Sequence, residues 1–439
     1  MGYTAKRNTW GVPLLALLSA NGISVVGNVL AALAIPWFVL QTTGSAAQMG
    51  LTACVEVVAN LVAGVFGGTL VDRVGQKRIS VLADLASGFA VALVPLLYYT
   101  VGLAFWQLLL LVFCASLCNA PGNTALTVLL PDVADLAGMP FERASTILQA
   151  IQRAAGLVGA PAAGALIVVL GTTRLLWADA VSFLLSACIV ALAIPASRVA
   201  ASAPRESAEA VQEADEDVKE TAEEQWSWWA GLKLSFQSLW GDRLMLAIMG
   251  VLIITNLLDA SLIAVVMPIY AKVHFGNALV FGLLSAAFGG GALFGSFLFS
   301  LFGVKLPRRM TFTLAFLGMG LPFWALAFLP ALPVLLLASA IGGIASAPIN
   351  PVIMTLSMER VPAPMRGRVL GPLIALARIT VPLGLLLVGG CVERLGLQDT
   401  LFLMAGAYLL ATLSLLFNPN LRQMDQKPER KKELVAVPA

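Results

Sequence analysis

Six side chains able to carry a charge lie inside long apolar runs of this 439-residue sequence: Glu56, Asp84, Arg153, Asp179, Asp259 and Arg378. A charge surrounded by hydrocarbon is costly, so such groups are either neutralised by a partner or kept because they bind something. A carboxyl group in that setting takes up a proton when dry and releases it when wetted or faced by a cation. Amides accompany the charges at helical spacing: Asn21 with Asn28, Glu56 with Asn60, Asn119 with Asn123, Gln149 and Gln152 with Arg153, and Asn256 with Asp259. Other chemistries are excluded. The single histidine, His274, cannot form a histidine metal cluster, and Cys54, Cys114, Cys118, Cys188 and Cys391 all fall in apolar stretches as packing residues. Motifs of zinc proteases, nucleophile elbows and phosphate-binding loops are absent, so no enzyme, metal, cofactor or direct ATP drive is expected.

The elements that position these groups follow from composition. The chain is 59% hydrophobic and 12% charged, against roughly 45–50% and 25% for soluble domains. It needs lipid as solvent. Crossing ~30 Å of hydrocarbon takes ~20 helical residues. The apolar runs predict twelve membrane helices, near 12–40, 47–71, 79–101, 104–130, 146–170, 174–195, 244–271, 278–303, 309–329, 331–356, 367–392 and 398–418. Lys6 and Arg7 precede a first run too long for the apolar region of a cleavable signal peptide. Of the 27 lysines and arginines, 22 fall on one side and only Arg174, Lys272 and Arg394 on the other, which predicts cytoplasmic termini.

The longest connection, 196–243, carries nine acids between Glu206 and Glu224, then Trp228, Trp229, Leu232, Phe236, Leu239 and Trp240 at helical spacing. It reads as a solvated linker followed by an interfacial amphipathic helix. It separates a six-helix bundle at 1–195 from a second at 244–418, with a cytoplasmic tail at 419–439. The halves repeat one another. Pro36 parallels Pro268, Gly67 and Gly75 parallel Gly295 and Gly303, Ala120-Pro121-Gly122-Asn123 parallels Ala347-Pro348-Ile349-Asn350, and Pro161 loosely parallels Pro382. Like-oriented halves place a binding site between them near the midplane.

The segment Gly67-Gly68-Thr69-Leu70-Val71-Asp72-Arg73-Val74-Gly75-Gln76-Lys77-Arg78 resembles the loop motif between helices 2 and 3 of the major facilitator superfamily. Gly156-Leu157-Val158-Gly159-Ala160-Pro161-Ala162-Ala163-Gly164 is similar to that superfamily's antiporter motif, with Gly156, Pro161 and Gly164 in place and Ala160 where the family has glycine. Gln41-Thr42-Thr43-Gly44-Ser45-Ala46, Phe141-Glu142-Arg143-Ala144 and Arg366-Gly367-Arg368-Val369 resemble the branch of bacterial macrolide-efflux and enterobactin-exporter proteins. That resemblance implies two pseudo-symmetric six-helix bundles and proton-driven export of amphipathic small molecules. It also implies a cavity lined by spans 1, 4, 7 and 10. The branch often carries Gly-Asp in its first helix; here it is Gly27-Asn28, and an amide carries no proton.

Counting ~1.5 Å per residue, Glu56 lies roughly 22 Å from the expected cytoplasmic end of span 2 and Asp259 about 22 Å into span 7. These two are the candidate coupling carboxylates, Glu56 first; Asp84 and Arg153 lie near the cytoplasmic face, and Asp179 reads as structural. Cavity candidates are Asn21, Asn28, Trp37, Asn119, Asn123, Asn256 and Asn350, and Glu56 with Arg378 is a candidate intramembrane ion pair. The cytoplasmic gate is assigned to Gly68, Asp72, Arg73, Gly75, Asp132, Arg366 and Arg368. The expected partners are lipid, a small-molecule substrate and protons, with no nucleic acid and the chain acting as a monomer. Import, lipid flipping or a transport-inactive scaffold are the alternatives. If Asp72 latches to Arg366 or Arg368, Asp72→Asn shifts the gate equilibrium by a factor of roughly five or more. Thiol labelling of cysteines placed at the cytoplasmic gate reads that shift, and unchanged labelling removes the latch.

Overall fold

The structure, a computed structural model, describes residues 11–194, 243–303, 306–360 and 377–424, within which the side chains of Val65, Gly68, Thr69 and Asp72 are not described. The gate residues Arg366 and Arg368, the burial of Gly68, the Asp72 side chain, the amphipathic segment and most of the tail therefore lie outside what is described. The described chain is helical. In order come α1 (Val12–Thr43), α2 (Ala46–Val74), α3 (Gln76–Thr100), α4 (Phe105–Leu136), α5 (Phe141–Leu170) and α6 (Thr172–Ala193). There follow α7 (Arg243–Phe275), α8 (Ala278–Phe302), α9 (Arg308–Ala327) and α10 (Leu332–Arg360). The last are α11 (Val381–Leu395) and α12 (Leu397–Phe417). Eleven of these are long and apolar enough to cross a membrane. The expected span at 367–392 is described only from Ala377 onward, where α11 contributes 15 residues.

Local chemistry explains the ends. Pro13 opens α1 where its missing N–H costs nothing, and Gly44 closes it in the left-handed conformation at φ 68°. Ser45 then caps α2, its hydroxyl accepting from the Gln48 N–H at 3.2 Å. Gly75, at φ 96°, makes the sharp turn between α2 and α3 in a conformation most side chains avoid. Proline interrupts are handled differently in the two halves. Pro36 sits inside a continuous α1, whereas Pro268 is flanked by π-helical turns at Leu262–Val266 and Ala271–Phe275. The wider turns absorb the missing donor and the ring's bulk. α10 breaks at Ala347–Pro348 between its two segments.

Contacts divide the chain into two compact units. The first holds α1–α6, the second part of α7 from Asp259, the first part of α8 to Gly289, and α11. Inside it α1 packs on α5 and α6, α3 on α4 and α6, and α2 on α4 and on α11. The second unit holds the rest of α7 and α8, with α9, α10 and most of α12, and there α9 packs along α10. Within the first unit, backbone meets backbone at glycines. A Cβ on Gly389 of α11 would stand 2.8 Å from the Ala46 carbonyl, and one on Gly50 of α2 would strike the Leu385 carbonyl. Likewise Gly164 of α5 faces Ala278 O at 2.9 Å, and Gly282 of α8 faces Ala160 O at 2.5 Å, measured from the Cβ each lacks. Such approach is what helices in lipid use in place of a hydrophobic drive.

Each unit also repeats one electrostatic device. Lys77, at the start of α3, donates to the Ala191 carbonyl at 2.8 Å and to the Ile194 carbonyl, the unpaired end of α6. Arg309, at the start of α9, donates to the Leu416 carbonyl at 3.0 Å, the end of α12. A cation on a helix C-terminus satisfies orphan carbonyls and complements the helix dipole. Bases that the sequence marks for topology thus double as helix caps. Lys77→Gln and Arg309→Gln should each lower the thermal stability of the detergent-purified protein, by about 0.5–1 kcal/mol. Equal, additive losses in a double variant would match caps in separate units.

Candidate functional site

The first unit contains a half-open cavity of about 290 Å³ lined by α1, α2, α3, α4 and α6. Its polar lining is Asn28, Glu56, Ser116, Asn119, Asn123 and Asp179; Ile35, Val91, Val112 and Phe183 are among its apolar walls. Helical spacing sets the amides in a chain. Asn123 Nδ2 donates to Asn119 Oδ1 at 3.0 Å, one turn apart on α4, and Asn119 Nδ2 donates across to Asn28 Oδ1 on α1 at 2.8 Å. Three of the amides expected to share a site are therefore brought together, with Glu56 in the lining of the same cavity. Asp179, read from sequence as structural, is 1% exposed and lines this cavity, and its Oδ2 has no hydrogen-bond partner. Ser182 and Ser186 share its α6 face at helical spacing.

Beside the polar cavity lies an apolar groove of about 1030 Å³ between α1 and α5. Leu15, Leu18, Ile23, Val26, Ile147, Ile151 and Val158 give it a greasy lining, and Gly22, Ala154, Ala155, Gly159 and Ala162 keep it wide. Gly27 and Ser182 belong to the groove while their neighbours Asn28 and Asp179 belong to the polar cavity. Gly27 is the partition. A Cβ there would fall 2.5 Å from Asp179 Oδ1 and collide with the Ser182 hydroxyl. The antiporter-like segment forms the far wall. Gly159 takes the Val29 side chain at 2.9 Å from its missing Cβ, while Gly156 meets nothing within 4 Å.

Comparison with known proteins agrees with this architecture. The family model for the Major Facilitator Superfamily matches the chain twice, at residues 17–257 and 249–439. The chain belongs to the major facilitator superfamily. That membership makes it a multi-pass membrane transporter by family. Among its relatives, the multidrug efflux pump Tap of Mycobacterium tuberculosis is 30% identical over 426 residues, covering 96% of this chain and 97% of that protein. Macrolide efflux protein A of Streptococcus pyogenes is 22% identical over 411 residues, covering 92% and 95%. The crystal structure of the nucleoside transporter NupG shares the fold at TM-score 0.71, 13% identity and 92% and 98% coverage. A bacterial homologue of the lysosomal transporter Spinster does so at TM-score 0.65 and 15% identity, covering 92% and 95%.

Other expected site residues of this superfamily member are distributed more widely. Asn21 is buried with its Oδ1 unpartnered, and Trp37 is buried at 4% exposure within the bundle instead of lining either cavity. Asp259 is half-buried on α7 at the edge of the first unit. Asn256 and Asn350 fall in the second unit; Asn256 Nδ2 donates to the Ala377 carbonyl at 3.4 Å, and Asn350 is exposed beside the break in α10. Glu56 and the exposed Arg378 lie in different units. Asp84 is satisfied by the Ser186 hydroxyl, which donates to Oδ2 at 2.6 Å. Arg73 is exposed and Asp132 half-buried, and no ion pair joins them among the described residues.

A clasp at the α1–α2 turn was not foreseen. Glu393 Oε2 of α11 accepts from Ser45 Oγ at 2.8 Å and from the Ala47 N–H at 3.0 Å, at the start of α2. Lys272 Nζ of α7 donates to the Leu40 carbonyl at 2.7 Å, at the end of α1. An anion meets a helix N-terminus and a cation a C-terminus, so both charges match the dipoles they face. Sequence shows these residues only as loop charges, because their partners lie hundreds of positions away in the chain. Replacing both, with Glu393→Gln and Lys272→Met, should speed labelling of an Ala47→Cys variant by an impermeant thiol reagent roughly five-fold. Unchanged labelling would show that the glycine contacts alone hold this face.

Proposed function

We propose that this protein is a secondary active exporter of hydrophobic or amphipathic small molecules, driven by protons entering through alternating access. The observation that carries the reading is the adjacency of two unlike cavities, an apolar groove of about 1030 Å³ and a polar cavity of about 290 Å³ containing Glu56. A greasy, open surface with few polar groups suits compounds held by shape and apolar area. The neighbouring carboxylate suits a cation. Relatives named for efflux of multiple drugs and of macrolides support the same substrate class. The placement is the bacterial inner (plasma) membrane, with both termini in the cytoplasm following the lysine and arginine bias.

Glycine contacts and the Glu393–Lys272 clasp gather α1, α2, α5, α7, α8 and α11 at the expected outer face. We take this as the closed outer gate of an alternating-access cycle. Coupling is assigned to Glu56 first and Asp259 second, because a proton carrier must change its surroundings as the gates exchange. Uptake of a lipophilic cationic dye into inverted vesicles tests it. Glu56→Gln should abolish pH-gradient-driven accumulation, a loss of about ten-fold or more, while dye still equilibrates. If Glu56→Gln, Asp259→Asn and the double variant all accumulate dye as the parent does, proton coupling through these carboxylates is wrong.

A further inference from the structure

In the second unit, α10 is gripped along one part and held only near its tip along the other. Its first segment, Leu332–Ser346, meets α8 and α9 at glycines. A Cβ on Gly291 would strike the Ala340 carbonyl, one on Gly295 the Ile344 carbonyl, and one on Gly318 would stand 2.5 Å from Ala345 Cβ. Its second segment, Ile349–Arg360, follows the break at Ala347–Pro348 and packs on α9 far less closely. Among the described residues no glycine seats a neighbouring helix on it. A space of about 370 Å³ separates it from α8 and the start of α9, lined among others by Phe299, Ser300, Arg308, Thr311, Val352 and Thr355. The hydroxyls there tie nothing across the space: Ser300, Thr311 and Thr355 each donate to a carbonyl three or four residues back. α12, by contrast, lies firmly along α9, with the Phe323 and Tyr408 rings 4.9 Å apart.

The fastenings of the second segment sit at its last two residues. Glu359 accepts two bonds from the Arg308 guanidinium, at 2.6 and 2.9 Å. Arg360 donates to the Gln423 carbonyl at 3.3 Å, in the 3-10 turn Pro419–Met424 that follows α12. Such a short run is not stable by its own hydrogen bonds. It is seated by burial, since Leu421 and Met424 are fully buried and the turn packs against α9. We propose that Pro419–Met424 is a strap. With the Arg308–Glu359 pair it pins the tip of the second α10 segment to α9 and α12, and its release lets that segment pivot at Ala347–Pro348 into the neighbouring space. A few partly exposed bonds at a tip open more readily than buried glycine contacts, so the two segments of α10 differ in freedom. The expected topology puts this tip on the cytoplasmic side, where the strap would act on the inner gate. The pivot itself stands on the packing of the second unit and not on the exporter reading.

Distances between paired nitroxide labels, read by electron double resonance on the purified full chain with its five native cysteines replaced by alanine, measure the pivot. One pair, Leu314→Cys with Met354→Cys, spans α9 and the second segment. A reference pair, Leu321→Cys with Leu337→Cys, spans α9 and the first segment, and all four positions are exposed. The parent should give one narrow distance for each pair. Arg360→Gln and Leu421→Ser should each raise a second distance in the first pair, its population growing about ten-fold, and leave the reference pair as in the parent. A first pair that is unchanged in these variants, or already broad in the parent, overturns the strap. Equal broadening of both pairs also overturns it, because the whole unit would then have loosened. Arg360→Gln alters only contacts at the tip, so its result decides the matter where Leu421→Ser fails to fold.

Discussion

Close approach of helix backbones is the constraint on which the rest of this structure depends. Lipid supplies no hydrophobic drive between helices, so packing must come from van der Waals fit and from satisfied polar groups. Glycine provides the fit in both units. In the first, Gly50 and Gly389 let α2 and α11 touch, and Gly164 and Gly282 seat α5 on α8. In the second, Gly291 and Gly295 bring α8 onto the Ala340 and Ile344 carbonyls of α10, and Gly318 and Gly342 join α9 to α10. Any side chain at these positions would wedge the pair apart. The small-residue motif in α5 is thus explained by packing, whatever else it does.

Charge is then placed where helices end. Lys77 and Arg309 close α6 and α12, and Lys272 and Glu393 hold the end of α1 and the start of α2. Backbone groups at a helix terminus need partners, and a charged side chain is the strongest available. The first pair of contacts joins helices within one repeat and fixes its shape. The second joins elements from opposite ends of the chain. Being partly exposed and made of few bonds, it is the kind of contact that can be broken and remade as a gate moves.

The candidate site takes its form from these two devices. Glycine at 27 lets α6 press on α1 so closely that Asp179 passes into the cavity of Asn28 and Glu56. The same contact divides a greasy groove from a polar pocket by a single residue's width. The wall between the two spaces is thin, being made of Gly27 and Ser182.

Much of this could be read from the chain alone. Hydropathy locates the helices because a span's length is set by the bilayer, and Gly44, Gly75 and the basic loops mark their ends. The spacing of Asn119 and Asn123 placed them on one face, and the repeat offset of Pro36 and Pro268 pointed to a duplication. What sequence could not decide was which faces meet. Asn28 and Asn119 are joined by a hydrogen bond spanning 91 positions, Trp37 turned into the bundle, and Asp179 came to line the same cavity as Asn28. Those outcomes depend on the rotation of each helix about its axis. In lipid that rotation is set by where glycines allow contact and where buried polar atoms find partners, and both are properties of pairs of helices, not of any one segment.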